Sequence, residues 1–160
     1  MRLMILLARI FAILAGVLLT FITLMTCASI LGREFFGAAI TGDFELSGAA
    51  TGAAIAMFMP WCQAKGGNII VDFFTAKCSD RANGMMDRLG ALFMSVCFAL
   101  LAWRSSVGGL SAYTSHSGTM ILGFPGWVVY AFMVPAFVLT SLIALAQVFV
   151  GVEEHEGEHA

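Results

Sequence analysis

Charge is the scarcest property of this sequence: only eight Lys or Arg and ten Asp or Glu stand among 160 residues, 11% in all. An ordinary soluble domain carries roughly a quarter. A net charge of −2 offers no basic field, so binding to nucleic acid is not expected. Histidine is nearly as sparse: of three, His155 and His159 lie in the C-terminal stretch and only His116 lies elsewhere. A bis-histidine haem between helices needs two facing ligands, so that chemistry is excluded. Cys27, Cys62, Cys78 and Cys97 show no C-x-x-C spacing, and such cysteines are read as small packing residues rather than a redox or metal set. There is no glycine-rich phosphate loop followed by Lys and Ser or Thr, and nothing marks Ser111, Ser115 or His116 as an activated nucleophile. No internal repeat is visible, and neither a catalytic residue nor a metal site is expected.

What remains is grease. Hydrophobic residues make up 60% of the chain, and its mean hydropathy is +0.93. Ile10 to Gly32, Leu46 to Ala64, Leu89 to Trp103 and Ser105 to Val152 contain no Asp, Glu, Lys or Arg. A spanning helix needs roughly 20 mainly apolar residues. The third window is shorter, but Arg88 and Arg104 at its ends can snorkel into the headgroups. The expected fold is therefore an all-α membrane protein with four transmembrane helices, near residues 6–31, 46–64, 81–107 and 127–150, and an acidic tail over 153–160. The N-terminal stretch also begins like a signal peptide, but its apolar run is longer than a typical h-region, so a retained first helix is expected. In the tail, His155 and His159 beside their glutamates read as a mobile acidic segment.

Orientation follows from the cations. With the N-terminus inside, Arg2, Arg9, Lys65, Lys77, Arg81 and Arg88 fall on cytoplasmic segments, and Arg33 and Arg104 on outer ones. That bias places both termini in the cytoplasm. Thr41 or Asp43 is expected to cap the second helix, with Glu45 in its first turn, where the exposed amides favour an acid. Gly48, Gly52 and Ala56 recur every four residues on one face, as small residues do where helices approach closely in lipid. Trp61 before Lys65 has the order of an interfacial anchor. Gly108 and Gly109 suggest an end for the third helix, Pro125 suits the first turn of the fourth, and Pro135 predicts a distortion within it.

Between spans two and three lies KGGNIIVDFFTAKCSDR, greasy yet charged. Asn68, Asp72, Thr75 and Ser79 are spaced by four, three and four, which is one stripe of a helix. The stretch is therefore expected to be a short amphipathic helix on the cytoplasmic interface, cornered at Gly66 and Gly67. Polar residues within spans, such as Thr20, Thr23, Ser29, Ser95 and Thr140, are neutral, and packing hydrogen bonds are their default account. Spans that carry a transport pathway usually disclose it by buried ionisable residues, so a subunit is expected rather than a complete pump.

The order of LGRE, GDFEL, NIIVDFF followed by DR, and TMILGFPGWVVYAFMVP before the last span resembles the small, DctQ-like membrane subunit of tripartite ATP-independent periplasmic (TRAP) transporters. The resemblance covers nearly the whole chain. It implies a non-catalytic, multi-pass inner-membrane subunit of a bacterium, without a cofactor of its own. Its partners would be a large membrane subunit performing ion-coupled symport, usually with sodium, and a periplasmic binding protein that delivers organic acids or related anions. It also implies that Arg33 and Glu45 match the family's outer-loop arginine and acid, Asp72 the acid after the turn, and Pro125 and Trp127 the motif before the last span. Asn68 departs from the histidine of many relatives and argues against proton chemistry there. On the residues alone, Arg33 and Glu45 either pair with each other, anchor the first loop or meet a partner. Gly48 and Gly52 pack either within the chain or against that partner. The competing functional class is the membrane anchor of a redox or other enzyme complex.

Overall fold

The computed structural model describes residues 2–37, 40–66 and 80–150. The proposed interfacial helix, with Asn68, Asp72, Thr75 and Ser79, and the acidic tail lie outside the described residues. Among the described residues four helices run in sequence: α1 (Arg2–Phe36), α2 (Asp43–Ala64), α3 (Asp80–Thr114) and α4 (Trp127–Val150). Among the described residues, three stretches are long and apolar enough to cross a membrane: Arg2–Phe36, Gly84–Thr114 and Trp127–Phe149. The 22 residues of α2 extend about 33 Å, but Gly, Ala and Thr in its first half and Pro60 and Gln63 in its second make it less apolar.

The helices run up, down, up, down, with α2 and α4 side by side at the centre. A first core cluster joins Ala15 of α1, Ala54 and Met57 of α2, and Ala136 of α4, with Phe11, Leu18, Leu19 and Phe58 around it. A second, towards the start of α1, joins Ala8 to Leu139 and Ile143 of α4, flanked by Met4, Trp61 and Ala64. The third helix packs mainly on α4, on the side away from α1. The result is an open row, α1–α2–α4–α3, rather than a closed four-cornered bundle.

Side-chain sizes are distributed inside out. The buried apolar set is mostly alanine (Ala8, Ala15, Ala53, Ala54, Ala56, Ala91, Ala102, Ala136 and Ala144), whereas Phe21, Phe93 and Trp103 face outward. In lipid, outward leucine and phenylalanine cost nothing, and association depends on close van der Waals contact and interhelical hydrogen bonds. Small residues supply the first; three polar seams supply the second. Midway along α3 and α4, Ser95 Oγ donates to Ser141 O (3.1 Å) and Ser141 Oγ to Ser95 O (2.9 Å). At the far end of α2 and α4, Gln63 Nε2 donates to Gln147 Oε1 (2.7 Å), and Gln147 Nε2 returns a bond to Gln63 O (2.8 Å). The third seam lies at the loop end.

Two local readings change. The N-cap of α2 is Gly42 (φ +82°), without a side-chain cap bond, rather than Thr41 or Asp43. Leu122 occupies the space above Gly42, where an added Cβ would lie 2.5 Å from Leu122 Cγ. α3 does not stop at Gly108 and Gly109 but continues to Thr114. The ring of Tyr130 rests on these glycines, so an added Cβ at Gly109 would meet Tyr130 Cβ at 2.9 Å. They serve close approach between α3 and α4 rather than termination.

Candidate functional site

The α1–α2 and α3–α4 connections meet at one end of the row, and the carboxylate of Glu45 joins them. Placed in the first turn of α2, it accepts bonds from three successive backbone amides of the α3–α4 loop. Met120 N lies 3.0 Å from Oε1, Ile121 N 3.1 Å from Oε2, and Leu122 N 3.3 Å from Oε2. The loop is shaped to present them: Thr119 N bonds Phe124 O, Gly126 N bonds Ser117 O, and Phe124 N bonds Thr119 Oγ1, each at 3.0 Å. Gly123 turns the chain with φ +64°. Consecutive amides pointing one way form an anion nest, and here the anion is the protein's own. Partial burial pushes the Glu45 carboxyl up. Hydrogen bonds from the Ile121 and Leu122 amides, the Thr119 hydroxyl and the Met120 amide outweigh it and hold the group below its ordinary value.

A second carboxylate ties α1 into the same end. The Ser29 hydroxyl donates to Asp43 Oδ2 and accepts from Ile40 N at 3.2 Å, so one buried serine connects the end of α1 to the chain entering α2. Asp43 is held below its ordinary value first by Ser29, then by the Phe44 amide, with a further contribution from the positive charge of Arg33. Both acids are thus ionised acceptors already occupied by donors of the chain. The arrangement can hold and orient loops; it offers no free base or nucleophile. No three of His, Cys, Asp or Glu converge on a metal site among the described residues.

Around this clamp stand large apolar side chains left exposed among the described residues: Met120 is 99% exposed, Phe44 86% and Phe36 85%. At the opposite end, Lys65 lies over the Trp61 ring, 5.4 Å from its centroid, within reach of a cation–π contact. Among the other residues singled out from the sequence, Arg33 lies in the last turn of α1, on the side of Asp43. Gly48 and Gly52 face open space, since an added Cβ would meet nothing within 4 Å. Pro125 closes the loop ahead of α4, with Val128 N bonded to its carbonyl at 3.3 Å. Trp127 meets Tyr113 edge to face, centroids 5.9 Å apart. Asp72 lies outside the described residues.

A protein-family model described as "Tripartite ATP-independent periplasmic transporters, DctQ component" matches residues 22–154, most of the chain and three of its four helices in full. This chain belongs to the DctQ family. It is a multi-pass inner-membrane component of a TRAP transporter rather than an enzyme. Searches of curated proteins and of solved structures returned no match. Within this DctQ-family chain, the Glu45 nest had escaped sequence reasoning, since only the folded loop aligns its amides. The acid in the first turn of α2 and the glycines Gly118 and Gly123 were its signals. The Gln63–Gln147 pair had none beyond two glutamines in apolar surroundings.

Proposed function

We propose that this chain scaffolds the large ion-coupled membrane subunit of a TRAP transporter and helps dock the substrate-binding protein during uptake of organic acids or related anions. Sodium coupling belongs to the large subunit. The observation that carries this reading is the clamped loop end: a platform whose two carboxylates are held by the chain's own donors while Phe36, Phe44 and Met120 stand exposed. The six-to-two bias of Lys and Arg supports placing that end in the periplasm and both termini in the cytoplasm. In this reading α2 is the fourth span, sheltered from lipid by α1, α4 and the large subunit. Its open Gly48 and Gly52 suit close helix contact with that subunit.

The test is copurification and uptake in cells carrying the whole transporter. Gly48→Leu together with Gly52→Leu is expected to reduce recovery of the large subunit while leaving the small subunit folded, because among the described residues nothing lies within 4 Å of an added Cβ at either glycine. Deleting the chain should abolish uptake. Solute transport by the chain reconstituted alone, or full uptake without it, refutes the scaffold role.

A further inference from the structure

A groove of about 540 Å³ opens between α3, α4 and the loop that joins them. Its wall is polar, with Arg104, Ser105, Ser111, Ser115 and Tyr130 among its lining residues. Among the described residues, the Arg104 guanidinium and the Ser105, Ser111 and Tyr130 hydroxyls form no hydrogen bond or ion pair. The Ser115 hydroxyl donates to Ser111 O at 2.7 Å and keeps its lone pairs. Gly108 makes room beside this set, for an added Cβ would lie 3.3 Å from the Tyr130 ring. The groove thus gathers one fixed positive charge and several uncommitted hydroxyl donors, and no acid lines it. Such a set matches a singly charged anion with several acceptor oxygens.

Depth and surroundings identify the anion. Arg88 and Arg104 flank the charge-free part of α3, sixteen residues apart, or about 24 Å along the axis. With both side chains reaching outward, that spacing matches a hydrocarbon layer of roughly 30 Å and sets Arg104 at the level of the lipid phosphates. Tyr113 and Trp127, packed edge to face, lie near the same end, where aromatic belts form. One to three turns below Arg104 on its side of α3 come Leu101, Leu100, Val96 and Phe93, all exposed. A polar, cationic head site above an apolar column is the outline of a phospholipid. A protein carboxylate would satisfy the guanidinium but would have no use for the column.

We infer that this groove holds the phosphodiester of a phospholipid from the leaflet on the loop side, with Arg104 on the phosphate, the Ser111 and Tyr130 hydroxyls donating to its oxygens, and an acyl chain along Leu100, Leu101 and Phe93. The site stands on this chain's own residues and is independent of the scaffold role.

The test is native mass spectrometry of the purified protein, with any chains that copurify, released from nanodiscs of phosphatidylethanolamine and phosphatidylglycerol. Wild type is expected to retain one phospholipid. Arg104→Gln should lower the retained fraction about tenfold, Arg104→Lys should restore part of it, and Ser111→Leu, which fills the groove but keeps the charge, should lower it too. Since Arg104 makes no bond among the described residues, its replacement should leave folding intact, checked by an unchanged thermal transition. Millimolar inorganic phosphate should not displace the lipid. Equal retention by wild type and Arg104→Gln overturns the proposal, as does displacement by inorganic phosphate alone. So does loss of a copurifying membrane protein from Arg104→Gln with lipid retention unchanged, which would make the guanidinium a protein contact.

Discussion

The two ends of the α2–α4 pair are fastened by different chemistry. At the loop end, Glu45 is an anion gripped by backbone amides of the loop before α4, and beside it Asp43 is held by a serine of α1. At the other end, Gln63 and Gln147 exchange two neutral hydrogen bonds. The difference tracks water. Glu45 is partly exposed, so its charge keeps some hydration while the nest adds donors; the glutamines are buried, where an anion would lose its hydration outright. Neutral amides fulfil both donor and acceptor needs without that penalty. Midway, where α3 meets α4, the hydroxyls of Ser95 and Ser141 do the same on a smaller scale. Polarity thus falls with depth while the function, fastening one helix to another, stays the same.

The comparison can be broken most severely at Gly42. A side chain there must adopt φ +82° and displace Leu122, so Gly42→Val is expected to destabilise by about 2–4 kcal/mol in thermal unfolding in detergent. Adding Leu122→Ala should recover the part due to overlap and leave the backbone strain. Next comes the buried end: Gln147→Leu removes both bonds to Gln63 and should cost about 1–2 kcal/mol by the same measurement. At the loop end, Glu45→Gln keeps the shape but loses the charge. Amides 120–122 should then lose protection from hydrogen exchange several-fold while α2 and α4 stay protected. Acid should mimic that variant. Because the folded carboxyls of Asp43 and Glu45 titrate below their unfolded values, their contribution is complete above the unfolded carboxylate range. It is lost as pH falls through the folded values. The buried glutamines have no such dependence, so protection should fade from the loop end first. Smallest is Ser141→Ala, expected to cost about 0.5 kcal/mol, the size of an average interhelical hydrogen bond in a membrane.

The helices were legible because the windows between charges have the length of a span. The fourth is the clearest case, since the charge-free window from Ser105 to Val152 contains the whole of α4. The end of α3 was misread because Gly108 and Gly109 carry two meanings that sequence does not separate: a stop, or a place for a neighbouring ring. The cap of α2 was misread for a related reason. Thr41 and Asp43 have capping side chains, but the geometry belongs to Gly42 because Leu122, eighty residues later, sits on it. Of the loop-end site, the acid in the first turn was visible and its partners were not, because backbone amides have no letter in the sequence. Gln63 and Gln147 are 84 residues apart, and periodicity carries no information across that distance.

The Glu45 clamp also imposes an order on biogenesis. Its first donor, Met120, follows the acid by 75 residues, which at 5–20 residues per second is a wait of about 4–15 s during synthesis. Throughout that interval the first hairpin must wait with its carboxylate still hydrated. The clamp can close only after α3 has been threaded and the loop behind it has emerged on the same side. A single side chain thereby records whether both hairpins were inserted in the same sense.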